Sequence, residues 1–291
     1  MEGHPIKRAV AKLVARGAPL GLGLVARRIG MAKLRRARLP ILIERGENPS
    51  VLIIAFTGGQ QKLNFPVYQF FETTQSLGCS RILLWDRYYM YYHHGVDRKR
   101  RDWPSLLDFF KREIARLNPR ILFCVGVSSG GYAAMIAGHY LGADYVHAFG
   151  PQTKIAIDKE GIRNARFRFN RWRLSISRRV FHEVLDLIPM LQKHNGKTKF
   201  FVHYGSRNKI DREFAERVAG LPSVTTLGYP SESHGVAVFL AKKRFLQHLF
   251  DVAKQDTLTE LAQSCFGEQV VITLPGSKGA SEAPGCASMT G

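Results

Sequence analysis

The sequence predicts an α/β fold, a mostly parallel sheet with helices on both faces, and three observations carry that prediction. Six short apolar runs rich in β-branched or aromatic residues alternate with longer amphipathic stretches, the pattern of successive β-α-β units. The third run passes directly into "GVSSGG", residues 126–131, a glycine- and serine-rich turn that resumes as a helix of small residues. No internal repeat or low-complexity tract interrupts this core. A chain of 291 residues that is 45% hydrophobic is long enough for one large core.

The elements follow in order. "VLIIAF" (51–56), "RILLW" (81–85), "RILFCV" (120–125), "YVHAF" (145–149), "KFFVHY" (199–204) and "VTTLGY" (224–229) read as buried strands, because continuous apolar runs of this length suit a sheet covered on both sides. Amphipathic helices are expected over 67–77, 105–117, 131–141, 179–193, 211–219 and 236–252. Residues 151–178, with "RNARFRFNRWRLSISRR", fall between a strand and the next helix and read as a basic insertion, a candidate cap over the carboxyl ends of the strands. The organisation expected is therefore a basic N-terminal extension (1–45), an α/β domain (46–255) and a disordered, small and polar tail (256–291).

The formal charge is +20 and unevenly spread. Residues 1–43 hold ten Lys or Arg and one acid, and residues 161–180 hold seven Arg and no acid. Such fields attract phosphorylated or uronic sugars, anionic lipid headgroups or nucleic acid, or serve only as a solvated face. The N-terminal arm interleaves Leu, Val and Ile with Lys and Arg, so it suits docking on an anionic membrane surface, with helices broken by Gly17, Pro19, Gly21 and Gly23. No recognised nucleic-acid module accompanies the charge, which disfavours nucleic acid as partner. Four cysteines without metal or disulfide spacing are read as reduced, and with no secretory leader they place the protein in the cytoplasm, peripheral to the membrane's inner face if the arm docks.

Gly126, Ser128 and Gly130 satisfy G-x-S-x-G between a strand and a helix, the setting of a nucleophile elbow. The sharp turn leaves no space for side chains two residues either side of the serine, and it aims the following helix so that the Ser129 N–H can stabilise an oxyanion. Ser128 is thus preferred to Ser129 as nucleophile, against the plain reading of a strand-to-helix turn. His234 in "GYPSESHGVAVFL" follows the last strand and precedes a helix, which sets it above His93, His139, His147, His182 and His203 as the base. For the acid, the position just after the penultimate strand holds Asn208; Asp211 is chosen, although it also reads as a helix N-cap, with Asp158 in reserve. The second oxyanion donor is expected from "FTGG", at Gly58 and Gly59.

"WDRYYMYYHHG" sets five aromatics around Asp86 and Arg87 after a strand, either to wall a sugar or acyl pocket, with Asp86 and Tyr92 on substrate, or as a lid closing the core. Arg168 and Arg171 of the insertion are expected to bind an anionic substrate. His93 and His94 have no third ligand at useful spacing, so no metal is expected, and no cofactor is implied.

From Val51 to Phe250 the chain resembles the α/β-hydrolase superfamily of serine hydrolases, on "GVSSGG", the small-residue helix after it and "SHGVAVFL". "FTGG", "LLWDRYYMYYHHGV", "GVSSGGYAAMIAGHYLGADYVHAFGPQT" and "YGSRNKIDREFAERV" are similar to a bacterial branch associated with surface-polysaccharide or glycosyltransferase functions. That resemblance implies an acid in an N-x-x-D arrangement, here Asp211. Three functions stay open: an esterase or deacylase acting on an acylated small molecule, glycan or lipid-linked substrate; an acyltransferase using the same triad; and a non-catalytic accessory protein of polysaccharide synthesis or export.

Overall fold

A computed structural model describes residues 40–59, 77–155 and 179–277, together with 63, 70, 73 and 74. Along the chain run β1 (Ile41–Glu44), β2 (Asn48–Phe56), β3 (Cys79–Leu84), α1 (Trp103–Leu117), β4 (Ile121–Val127), α2 (Ser129–Leu141), β5 (Tyr145–Phe149), α3 (Leu187–Gln192), β6 (Lys199–Gly205), α4 (Lys209–Glu216), β7 (Val224–Tyr229), α5 (Val236–Lys242), α6 (Leu258–Phe266) and β8 (Val271–Thr273). The eight strands form one sheet in the order β1-β3-β2-β4-β5-β6-β7-β8. Strands β2 to β7 pair in parallel, while β1 and β8 close the two edges antiparallel to β3 and β7.

The continuous apolar strands follow from this layering. On β2, Leu52, Ile54 and Phe56 face one core with α1, α2 and α3, whereas Val51, Ile53 and Ala55 face another with α5 and α6. A strand whose successive side chains enter two cores has no polar face to show. After β2 the chain runs to β3 on one side and then to β4 on the other. Strand order reverses there, which opens a crevice between the carboxyl ends of β2 and β4, the position where open parallel sheets take their ligands.

Several expected boundaries change. Ile41–Glu44, assigned to the extension, is an edge strand in register with Arg81–Leu84. Residues 258–273, assigned to a disordered tail, form α6 and β8. Leu258 and Ala262 are buried one helical turn apart, Phe266 packs on Tyr229 with ring centroids 5.1 Å apart, and Val271–Thr273 pair with β7. The expected helix over 236–252 ends at Lys242, because Arg244 takes φ 55° and a 3-10 turn over Leu246–Phe250 follows. The helix expected over 179–193 is a 3-10 turn (His182–Val184) and the short α3 capped by Asp186. Most of the helix expected over 67–77 and most of the insertion, residues 156–178, lie outside the described residues.

Candidate active site

Ser128 stands at the turn from β4 into α2 with φ 55° and ψ −120°, a conformation that a residue with a β-carbon adopts only when its surroundings impose it. The surroundings are on both sides of the turn. A β-carbon at Gly126 would lie 2.0 Å from the Gly130 carbonyl oxygen, and one at Gly130 would lie 2.2 Å from that of Phe56. Both obstacles are backbone, so only glycine fits two residues before and two after the serine. The Ser128 N–H donates to the Phe149 carbonyl at 2.8 Å, and the Tyr132 N–H returns to the Ser128 carbonyl at 3.1 Å, which fixes the turn to β5 and to the first turn of α2. Ser129 is buried, and its amide is among the first-turn N–H groups that have no acceptor within the helix.

Gly58 follows β2 across the crevice. A β-carbon there would come within 2.7 Å of the Val127 carbonyl oxygen and 3.5 Å of the Ser128 β-carbon, so the Gly58 backbone lies against the serine. Gly59 is exposed, with nothing within 4 Å of where its β-carbon would be. Of the two glycines expected to supply an oxyanion donor, Gly58 is the one in contact with the elbow.

His234 and Asp211, the residues expected as base and acid, are paired directly. His234, on the loop between β7 and α5, hydrogen-bonds through Nδ1 to Asp211 Oδ1 at 2.7 Å. The Asp211 side chain is 3% exposed and that of His234 47%, so the carboxylate is inside and the imidazole reaches solvent. This hydrogen bond holds the His234 pKa above its ordinary 6.5, while partial burial opposes it. Both groups lie against Gly150, whose φ is 51°: a β-carbon there would stand 3.2 Å from the imidazole and from Asp211 Oδ2. Gly150 follows Phe149, the register partner of Val127, and Ser128 follows Val127. The serine, after β4, and the His–Asp pair, after β6 and β7, therefore occupy the same end of the sheet, with Gly150 after β5 between them.

Asn208, not Asp211, fills the cap position. It is the N-cap of α4, accepting from the Asp211 N–H at 3.0 Å, so Asp211 is not the cap but a first-turn residue whose side chain is released for His234. Its amide nitrogen also donates to the Glu232 carbonyl at 3.0 Å, tying the loop that carries the acid to the loop that carries the base. The resemblance pointed to the N-x-x-D spacing, but not to Asn208 as the cap three residues before Asp211, which that same spacing allows. Gly150 was missed as well, and only its place at a strand end hinted at it.

The aromatic loop corrects an expectation. Asp86 and Tyr92, expected on the substrate, are interior: Asp86 is 2% exposed and Tyr92 0%. The Asp86 carboxylate gathers N–H groups of its own loop, Tyr92 at 3.3 Å among them, and burial raises its pKa to about 6. Tyr92 packs edge-on against Phe56 at 5.3 Å, and its hydroxyl meets the Thr57 and Leu84 carbonyl oxygens at 2.9 and 3.1 Å. His93 is buried too, accepting the Phe181 N–H at Nδ1 and bonding the Tyr132 hydroxyl through Nε2. Arg168, Arg171 and Asp158 lie outside the described residues. Among the described residues, no group of three or more His, Cys, Asp or Glu is placed to hold a metal ion, and no helix is long and apolar enough to cross a membrane.

Neither a family model nor a curated protein matches the chain. Solved structures do. The 2,6-dihydroxy-pseudo-oxynicotine hydrolase is similar over 88% of this chain and 77% of its own, at 11% identity and a TM-score of 0.50. A chain of the Glycosylation Associate Protein (Gap123) complex from Streptococcus agalactiae is similar over 75% of this chain but 44% of its own, at 15% identity and a TM-score of 0.51. An alpha-beta serine hydrolase homologue from Coxiella burnetii matches over 73% of this chain and 90% of its own, at 11% identity and a TM-score of 0.45. With six parallel strands, a switch-point crevice and a strained serine turn leading into a helix, the chain is a protein of the α/β-hydrolase fold.

Proposed function

We propose that the protein is a serine hydrolase that cleaves acyl esters through Ser128, His234 and Asp211. The observation that carries this reading is the buried Asp211 bonded at 2.7 Å to a solvent-reaching His234, at the sheet end where Ser128 is held in a strained turn. A structural ion pair needs neither the strain nor the crevice.

In this mechanism the Ser128 hydroxyl attacks the acyl carbon while His234 Nε2 takes its proton. Asp211 accepts the Nδ1–H, which fixes the tautomer and stabilises the imidazolium. The tetrahedral oxyanion is received by the N–H groups of Ser129, at the start of α2, and of Gly58, and the protonated His234 then gives its proton to the leaving oxygen. The second half-reaction repeats these steps with water as nucleophile. An acylated glycan or lipid-linked molecule is the proposed substrate class, on the support of the +20 charge and the arginines of the insertion. The basic N-terminal arm would bring the enzyme to an anionic membrane surface.

A fluorophosphonate probe is expected to label Ser128, and Ser128→Ala to remove both labelling and cleavage of short p-nitrophenyl esters. A folded wild-type protein that is neither labelled nor active would overturn the reading. Partition of an activated acyl donor between water and an added sugar distinguishes hydrolysis from acyl transfer, since both pass through the same acyl-enzyme.

A further inference from the structure

The aromatic loop is interior, yet it is built at a cost that packing alone does not explain. Three of its residues that carry β-carbons, Tyr89, Tyr91 and Tyr92, have φ of 55°, 53° and 63°. Strain of this kind persists where the surrounding structure imposes it, and it gathers at functional sites. The last of the three ends on the backbone beside the nucleophile.

From these contacts we propose that Tyr92 is a positioning residue that sets the direction of the Gly58 N–H toward the oxyanion. The inference rests on the serine-hydrolase reading. A trans peptide holds its carbonyl and the following N–H on opposite sides of a rigid plane. Fixing the Thr57 carbonyl therefore fixes the Gly58 N–H. The Tyr92 hydroxyl meets the Thr57 carbonyl oxygen at 2.9 Å. From another side that oxygen is confined by α2, since a β-carbon at Gly130 would lie 2.7 Å from it. The Thr57 N–H is bound as well, to the Leu84 carbonyl at 3.1 Å, the same oxygen that Tyr92 touches at 3.1 Å. The peptide plane between Thr57 and Gly58 is thus held by the aromatic loop and confined by the elbow helix, and β3 holds the peptide just before it. Its free edge, Gly58, is the part that lies against Ser128.

Tyr92 is itself buried and held at both ends. Its ring is packed on Phe56, and its N–H is held by the Asp86 carboxylate. Burial keeps the phenol protonated, so it remains a donor. An oxyanion donor must be preorganised to be worth its full effect, which is about 100- to 1000-fold in kcat for a whole donor. A donor that is present but free to tilt retains part of this.

Tyr92→Phe, which keeps the ring and removes the hydroxyl, is expected to lower kcat by about 10- to 50-fold with KM unchanged within twofold, a fraction of the loss of a complete donor. Affinity for a boronic acid or trifluoromethyl ketone, whose adduct places an oxyanion there, is expected to fall in proportion, while a ground-state product analogue binds as before. A purely structural hydroxyl would lower Tm and leave the kcat/KM split and the boronate affinity of the folded protein untouched. That result overturns the proposal. If Tyr92→Phe does not fold, the wild type labelled with 15N-glycine decides: the Gly58 amide must shift when the boronic acid binds, and an unmoved signal overturns the assignment. Should wild type react with fluorophosphonate and Tyr92→Phe match it, only the positioning role fails. Should wild type itself be inert, the hydrolase reading fails and this inference with it.

Discussion

His234 and Asp211 set the pH behaviour of the proposed chemistry. General-base action needs neutral imidazole, and the hydrogen bond from Asp211 holds the His234 pKa above 6.5, so kcat/KM is expected to rise with pH along a limb centred above that value. Asp211→Asn removes the charge and the preferred tautomer. The burial that lowers the pKa remains, so the limb should move to lower pH while kcat falls by about 10³- to 10⁴-fold. A pH–rate profile that keeps its limb, or a kcat near wild type, would show that another acid serves His234. At this scale the sequence named Ser128, Asp211 and His234 from their order and their places after strands, and it could not separate Asp211 as acid from Asp211 as cap. Asn208 made that distinction by taking the cap itself. For Asp86 and Tyr92 the residue types were the same whether the loop faced a ligand or the core, and only their burial decided.

The element on which the site depends is the turn from β4 into α2. At Gly130 the space for a β-carbon is filled by the Phe56 and Thr57 carbonyl oxygens, at 2.2 and 2.7 Å, neither of which can rotate away as a side chain would. Gly130→Ala is therefore expected to destabilise the fold by about 2–4 kcal/mol, in the upper range for overpacking, and to abolish labelling of Ser128 by shifting α2. Gly142 ends the same helix with φ 62° and nothing within 4 Å, so Gly142→Ala should cost only the left-handed conformation, about 1 kcal/mol, and leave labelling intact. Urea denaturation of the two variants measures the contrast; equal losses would mean that sterics do not govern the turn. The strands and α2 were legible because their apolar runs and glycine spacing are local signals. The breaks within 179–193 and 236–252 were not, because one depends on Asp186 capping a short helix and the other on Arg244 taking a left-handed conformation.

At the scale of the whole molecule, His93, His147 and His203 are fully buried on or beside the sheet. Burial lowers the pKa of His93 and His147 to about 3 and that of His203 well below 6.5. His147 and His203 belong to one chain of hydrogen bonds, from the Tyr229 hydroxyl to His203 Nδ1 at 3.1 Å, from His203 Nε2 to His147 Nδ1 at 3.0 Å, and from His147 Nε2 to Gln255 Oε1 at 3.0 Å. Gln255 donates its amide N–H groups to the Leu249 and Asp251 carbonyls, so Oε1 is the acceptor and each imidazole is already committed as one donor and one acceptor. An added proton has no place to go. Unfolded, each histidine titrates near 6.5, so below about pH 6.5 the unfolded chain binds protons that the folded chain does not, and stability falls as pH falls. Asp86 works in the opposite sense, since its raised pKa lets the folded chain hold a proton between about pH 6 and 4 that the unfolded chain lacks. The three histidines outweigh the one carboxylate, so acidification through this range lowers stability. Thermal unfolding from pH 7 down to 4.5 should show Tm falling steeply below about pH 6; a flat Tm would contradict the buried neutral network.

From local sequence alone came the layered α/β architecture, the strand that ends at the serine turn and the candidates Ser128, Asp211 and His234 for the proposed chemistry. These rest on signals within a few residues of each other: apolar runs with two buried faces, glycines two positions from a serine, an imidazole just after a strand. Tertiary structure alone decided which carboxylate meets His234, that residues 258–273 complete the second core, and that the aromatic loop braces the Thr57 peptide from inside. Each of those outcomes depends on contacts between segments far apart in the chain, where burial and the pairing of polar groups, not local composition, fix the conformation of lowest free energy.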